Sequence, residues 1–166
     1  MPFFSPQQLA LAEQVIRAAT AKKVMIVSAE SCTGGLIAAC LTEVSGSSAV
    51  FDRGYISYSY ESKTAYLDVP HDVVVACGAV SAEVARGMAE GALKHSIAHI
   101  AISATGIAGP GGGTPDKPVG LVYLGVAVKN KDSYALKNNF TGDRGQVRLQ
   151  TVETALKVLK KEIDSL

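Results

Sequence analysis

The sequence predicts an α/β fold, a single-domain three-layer α/β/α sandwich built on a mixed sheet of about five strands. Three observations lead there. Short apolar runs such as Val24-Met-Ile-Val-Ser28 and Ile97-Ala-His-Ile-Ala-Ile102 alternate with segments whose apolar residues recur at helical spacing. Two further runs, Val119–Lys129 and Ser133–Phe140, flank Asn130-Lys-Asp132 and read as a terminal hairpin. The chain has 166 residues, 48% hydrophobic and 19% charged, enough for one real core and too apolar for disorder.

Taken in order, the first element is the clearest. Ser5 is a good N-cap, Pro6 suits the first helical position, and Gln8 closes a capping box. Phe4 and Leu9 stand where a hydrophobic staple would put them. Leu9, Ala12, Ile16 and Ala19 form the apolar stripe of a helix over 6–21. The run 24–28 is a buried strand, and Leu36 to Val44 a helix. Ser45-Gly-Ser-Ser48 is a polar turn. Val50 to Tyr60 alternates and reads as a strand, with Ile56, Tyr58 and Tyr60 on one face. Short helices are expected over 61–67 and 70–76, the second ending at Gly78. Ser81 caps a helix to Lys94 whose inner face is Val84, Ala85, Met88, Ala89 and Ala92. A last helix over 144–163 carries the stripe Val147, Thr151, Ala155, Val158 and Leu159.

Two turns follow buried strands. The first, Ala29-Glu-Ser-Cys-Thr-Gly-Gly35, makes a strand–turn–helix unit that matches neither the dinucleotide fingerprint, the phosphate-binding P-loop nor the nucleophile elbow. The second, Ser103 to Gly113, holds Gly106, Gly109, Gly111, Gly112 and Gly113. Glycine is costly in chain entropy and repays it where backbone turns sharply or nears a ligand. The ends of buried strands are where α/β proteins place binding sites.

Composition excludes some classes. A net charge of +1 makes no electrostatic case for nucleic acid or an anionic membrane. Cys32, Cys40 and Cys77 lack ligand spacing and read as core residues of a reducing compartment. No metal and no cofactor are expected. No leader or membrane-length apolar run is evident, so the expected location is the cytoplasm.

Three segments together resemble the CinA C-terminal domain: Ala-Glu-Ser-Cys-Thr-Gly-Gly (29–35), Ser45-Gly-Ser-Ser48 with the later Tyr58 and Lys63, and Ala-Thr-Gly-Ile-Ala-Gly-Pro-Gly-Gly (104–112). Gly-Ala-Val-Ser (78–81) and Gly-Asp-Arg with Val-Arg (142–148) fit as well. The resemblance runs from the first helix to the last. That family includes stand-alone nicotinamide mononucleotide deamidases of the PncC type and longer proteins with an N-terminal molybdopterin-binding-like domain. The family often has Asn where this chain has Tyr60.

The resemblance implies hydrolysis of a carboxamide to carboxylate and ammonia in pyridine nucleotide recycling. Such chemistry needs a nucleophile, a base and oxyanion donors. Ser31 is the implied nucleophile, with an ordinary N-cap as its alternative. Lys63 is the implied base, because a desolvated lysine sheds its proton and Ser–Lys pairs are a variant of the triad; a solvated surface lysine is the alternative. Tyr58 would relay a proton or orient Lys63, or else be a core tyrosine. Glu30 would hydrogen-bond a ribose or order the loop, with an ordinary exposed glutamate as the alternative. Ser48 and Ser47 are rival nucleophiles, substrate contacts or plain turn residues. Thr33, Gly34, Gly35, Thr105, Gly106, Ala108, Gly109 and Gly111 offer backbone to phosphate or oxyanion. Arg144 would pair with a phosphate, Arg148 one turn on being a second option, and either could be a solvated surface residue. The partner implied is a small-molecule nucleotide, and a homodimer is the expected assembly. A nucleotide-binding or partner domain without catalysis is the competing reading. A P-loop-like phosphotransferase is weakened by the missing Gly-Lys-Ser/Thr.

Overall fold

The structure, a computed structural model, describes residues 3–166. Helix α1 (Pro6–Lys22) starts with the reciprocal capping box of Ser5 and Gln8 and leads to β1 (Ile26–Glu30). Helix α2 (Leu36–Thr42) and a single 3₁₀ turn (Ser47–Ala49) precede β2 (Phe51–Ile56). Then come α3 (Tyr60–Leu67), α4 (His71–Cys77), α5 (Ala82–Lys94), β3 (Ile100–Gly106), β4 (Leu121–Val128), β5 (Tyr134–Asn139) and α6 (Arg144–Asp164).

The five strands form one mixed sheet in the order β2-β1-β3-β4-β5. The first three are parallel, with Glu30 opposite Ile56 on one side and Ala104 on the other. Strand β4 runs antiparallel to both of its neighbours, β3 and β5. The chain leaves β1 for β2 on one side, and β3 lies on the other. The carboxyl ends of β1 and β3 therefore flank a topological switch point, where open α/β sheets form a binding crevice.

Strand alternation sends side chains to two cores. Ile26, Ile100, Ile102, Leu124 and Val126 pack with α1, α2 and α6 on one face. Val27, Ala29, Ala101 and Ala127 pack with α5 and the α3–α4 corner on the other. The inner face expected for α5 is fully buried. Gly91 lets α5 sit directly against α3: a β-carbon there would stand 1.8 Å from the Leu67 carbonyl oxygen. Among the described residues no helix is long and apolar enough to cross a membrane.

Three strands differ from expectation in where they begin or end. Strand β2 stops at Ile56 rather than Tyr60, because Ser59 accepts the Ser62 N–H and caps α3. Ile56, Tyr58 and Tyr60 therefore do not share a strand face. Strand β1 runs on through Glu30, two residues past Ser28. Strand β3 begins at Ile100, not Ile97, and continues through Ser103-Ala-Thr-Gly106, which the glycine content suggested was loop. Gly106 belongs to the ladder, where a β-carbon would meet Val122 Cγ2 at 2.5 Å.

Candidate active site

Glu30 closes β1 on the face that looks toward α2, and its carboxylate has no exposed surface. Oε2 accepts the N–H groups of Gly35 and Ile37, both at 3.0 Å. Oε1 accepts the Ala38 N–H at 2.9 Å and the Ser28 hydroxyl at 3.1 Å. These are donors that the start of a helix leaves unpaired, and an anion is their natural acceptor. Glu30 thus orders the turn. With both oxygens engaged and no surface, it does not reach a ribose, which corrects that expectation.

The turn after β1 is fixed at several further points. Ser31 donates its N–H to Ala104 O (2.9 Å), and Gly34 donates to Ser31 O (3.1 Å). Gly34 and Gly35 take φ of +59° and +97°, conformations costly for residues with a β-carbon. Arg148, on α6, donates from Nε to Cys32 O (3.1 Å) and from Nη2 to Thr33 O (3.0 Å). Among the described residues no backbone carbonyl takes the N–H of Thr33, a residue with no exposed surface.

Lys63 comes from α3 and is among the largest fully buried side chains. Its Nζ lies 3.1 Å from Ser31 Oγ, 2.7 Å from Ser57 O and 3.2 Å from Tyr58 O. No carboxylate pairs with it among the described residues. Burial without a counter-charge pulls its pKa down from 10.5 to about 8. A neutral amine has two N–H bonds and one lone pair. The two carbonyls match the N–H bonds, and the lone pair is left for the Ser31 hydroxyl proton. Ser31 itself is only 9% exposed. The neighbouring Cys32 thiol is pushed up to about 12 by burial, so no thiolate competes with the serine.

The other candidates divide. The Tyr58 side chain is exposed; its hydroxyl accepts from Arg144 Nη2 (3.3 Å), and only its carbonyl touches Lys63. Tyr58 therefore orients Lys63 through its backbone. Arg144 Nη1 also donates to Gly109 O (2.9 Å), so this guanidinium ties the second glycine-rich turn to the β2–α3 connection. Thr105 spends its hydroxyl on Ala79 O (2.7 Å), and Ala108 is buried against Cys32, Val122 and Val147. Both frame the crevice from within the structure and leave only backbone to offer. Gly111 is exposed on the crest of that turn, beyond Gly106 and Gly109. Ser48 lies in the 3₁₀ turn before β2, at the opposite end of the parallel strands from Ser31. This position removes it as a rival nucleophile or substrate contact. Its buried neighbour Ser47 shares that turn.

Two features went unforeseen. Ser57 supplies the shorter carbonyl contact to Lys63, and its buried hydroxyl, like that of Thr33, has no partner among the described residues. A cavity of about 210 Å³ opens beside the site between Tyr60, Ala79, Ile107 and Lys117. A larger groove of about 920 Å³, between α1 and the α2–β2 turn, is at the other end of the sheet and holds none of these groups. Among the described residues no three His, Cys, Asp or Glu side chains gather as a metal site would require.

Comparison with known proteins places this arrangement. The family model for the CinA C-terminal domain matches residues 8–163. The CinA-like protein of Chlorobium phaeobacteroides is 44% identical over 166 residues, covering 98% of this chain and 40% of its own. The CinA-like protein of Citrifermentans bemidjiense is 53% identical over 133 residues, 80% of this chain and 32% of its own. The chain therefore spans well under half the length of these curated relatives. Among solved structures, the competence/damage inducible protein CihA from Agrobacterium tumefaciens superposes with a TM-score of 0.95 at 43% identity, covering 99% of both chains. A competence-damaged protein (CinA) superfamily protein from Klebsiella pneumoniae gives 0.91 at 32% identity, covering 96% of this chain and 99% of its own.

Proposed function

Because the chain belongs to the CinA C-terminal domain family, we propose that it is an amidohydrolase that uses Ser31 as nucleophile and Lys63 as base. The substrate proposed is nicotinamide mononucleotide, converted to nicotinic acid mononucleotide and ammonia. One observation carries this reading: a buried lysine with no counter-charge, its Nζ 3.1 Å from Ser31 Oγ. A lysine in that setting costs stability, and such pairs cluster at functional sites.

The proposed steps balance as follows. Ser31 Oγ attacks the carboxamide carbon while Lys63 Nζ takes the hydroxyl proton. The C–O bond forms as the carbonyl electron pair moves to oxygen. On collapse the C–N bond breaks, and Lys63 returns the proton to the departing nitrogen, which leaves as ammonia. Water then attacks the acyl ester, with Lys63 again taking the proton and handing it to Ser31 Oγ. The phosphate end of the substrate lies along the second glycine-rich turn, within reach of Arg144.

The test is ammonia release from nicotinamide mononucleotide by the purified protein, with nicotinamide riboside as the control lacking phosphate. Release from the mononucleotide, abolished in Ser31→Ala, is expected. Tight binding of the nucleotide with no ammonia would instead favour a non-catalytic binding domain.

A further inference from the structure

The cavity of about 210 Å³ beside the site carries charge of one sign. Tyr60, Ala79, Ile107, Thr114 and Lys117 are among the residues that line it, and no aspartate or glutamate does. Lys117 is half-buried, so a ligand in the cavity can reach it, and no carboxylate pairs with it among the described residues. Its ammonium donates to one protein acceptor among the described residues, Cys77 O at 2.6 Å. An ammonium has three N–H donors, so two are left for a ligand. Arg144, the other cation at this end of the sheet, already spends Nη1 on Gly109 O and Nη2 on the Tyr58 hydroxyl. The surroundings fix the lysine. Its N–H donates to Thr114 Oγ1 (3.0 Å) and its carbonyl accepts the Thr114 N–H (2.8 Å), so the side chain rises from a closed turn. Gly78 makes room for the ammonium: a β-carbon there would stand 2.9 Å from Nζ. Other walls are tied to the reacting pair. Tyr60 opens α3, one turn before Lys63. Thr105 Oγ1 donates to Ala79 O (2.7 Å), and the preceding residue, Ala104, accepts the Ser31 N–H (2.9 Å).

We infer that this cavity is the subsite for the substrate's phosphate monoester and that Lys117 is its counter-charge; the inference rests on the reading above for the identity of the substrate. A phosphate monoester is close to a dianion at neutral pH and offers three strong acceptor oxygens. It leaves water only for a place that returns both charge and hydrogen bonds. Lys117 supplies the charge and two free N–H groups. The Thr114 hydroxyl accepts from the Lys117 N–H and keeps its own proton to donate. In a nucleotide the pentose separates base from phosphate, so an anion held here, to one side of Ser31 and Lys63, leaves the carboxamide for the serine. The competing use of Lys117 is structural, as a tie on the last residue of α4 through Cys77 O.

Ribose 5-phosphate separates the two uses, because it carries the pentose and the phosphate but no amide. Its binding is measured by titration calorimetry at constant ionic strength, with ribose as the control, on the full chain and on Lys117→Gln and Lys117→Arg. The glutamine amide can still donate to Cys77 O but has no charge, whereas arginine keeps the charge. Ribose 5-phosphate should bind about 30-fold more weakly to Lys117→Gln and within about fivefold of the unsubstituted protein to Lys117→Arg, a hydrogen bond to a charged group contributing roughly 10–100-fold. In the ammonia assay KM for nicotinamide mononucleotide should rise in parallel, while KM for the riboside stays within about twofold. Equal binding to Lys117→Gln and to the unsubstituted protein would overturn the inference, and so would a loss of phosphate preference in Arg144→Met alone. Should Lys117→Gln fail to fold, reductive methylation of the unsubstituted protein decides: saturating ribose 5-phosphate should slow modification of Lys117, and an unslowed rate overturns the inference. Binding of ribose 5-phosphate that depends on Lys117 in a protein that releases no ammonia would remove the amidase reading and support this subsite.

Discussion

Two glycine-rich turns stand side by side at the carboxyl ends of β1 and β3, and they are held in different ways. The turn after β1 is tied by the Glu30 carboxylate from below, by Arg148 from α6 and by the Ser31 N–H to Ala104. The turn after β3 is held by other means: Ile107 and Gly120 bond across to Leu121 and to each other at its feet, Thr114 and Lys117 bond to one another, Lys117 Nζ donates to Cys77 O, and Arg144 donates to the Gly109 carbonyl. Between its feet Pro110 to Asp116 is exposed. Glycine is abundant in both, so its presence says nothing about rigidity. In the first turn it permits backbone that the surroundings then lock. In the second, Gly109 and Gly113 fit closely against Val119, and Gly111 stands open on the crest. Reacting atoms need the former, because a nucleophile and an oxyanion site tolerate little misplacement. An exposed loop crest suits adaptable recognition.

The comparison breaks most visibly at the reacting pair. Ser31→Ala and Lys63→Met should each lower kcat by roughly three decades or more, and the double variant should lose little further, because groups that act as a unit are not additive. In the unsubstituted protein activity should rise with pH through a midpoint near 8, set by the desolvated Lys63. Stability shifts with the same group. Between about 8 and 10.5 the unfolded chain keeps the Lys63 proton and the folded chain has shed it. The unfolded state binds more protons there, so stability should rise with pH across that window. Denaturant midpoints that climb between those pH values, and climb less in Lys63→Met, are the expected result.

Next in size is the tie beneath the first turn. Glu30→Gln keeps the shape but sets an amide group against N–H donors that need an acceptor. A loss of about 3 kcal/mol is expected from two charge-assisted bonds to a buried group. Urea denaturation measures it, and a stability within 1 kcal/mol of the unsubstituted protein would mean, on the same scale, that the turn does not depend on this carboxylate.

The smallest effects sharpen the contrast within glycine itself. Gly34→Ala must hold a left-handed φ of +59° under the Arg148 guanidinium, and should cost about 1–2 kcal/mol. Gly111→Ala has no atom within 4 Å of the new β-carbon, and should change stability by less than about 0.5 kcal/mol. Equal costs at the two positions would erase the distinction drawn between the turns.

Local chemistry was legible where the signal is local. The Ser5–Gln8 capping box and the inner face of α5 follow from residue types at fixed spacing. The ends of strands were not, because pairing with a neighbour decides them. Ser103 to Gly106 reads as loop until β4 is laid against it, and the alternation through Tyr58 and Tyr60 yields to the cap at Ser59. Lys63 shows why a site is harder still. Its helix, Tyr-Glu-Ser-Lys-Thr-Ala-Tyr-Leu, is polar enough to sit in water, and nothing in it says that this lysine is buried. Only the family resemblance singled it out. Arg148 and Ser57 act through backbone carbonyls, a use of side chain and main chain that residue type does not advertise.

Gly91 carries a consequence for anyone who mutates this protein at random. It has no atom in the crevice, yet the Leu67 carbonyl occupies the space that any side chain there would need. Leu67 ends the same helix that bears Lys63 one turn earlier. Even alanine at 91 would therefore push α3 away from α5 and alter the gap between amine and hydroxyl. A screen for inactive clones should recover position 91 among its hits, folded but slow. A search for variants with a retuned lysine could begin there, away from the Ser31–Lys63 pair itself.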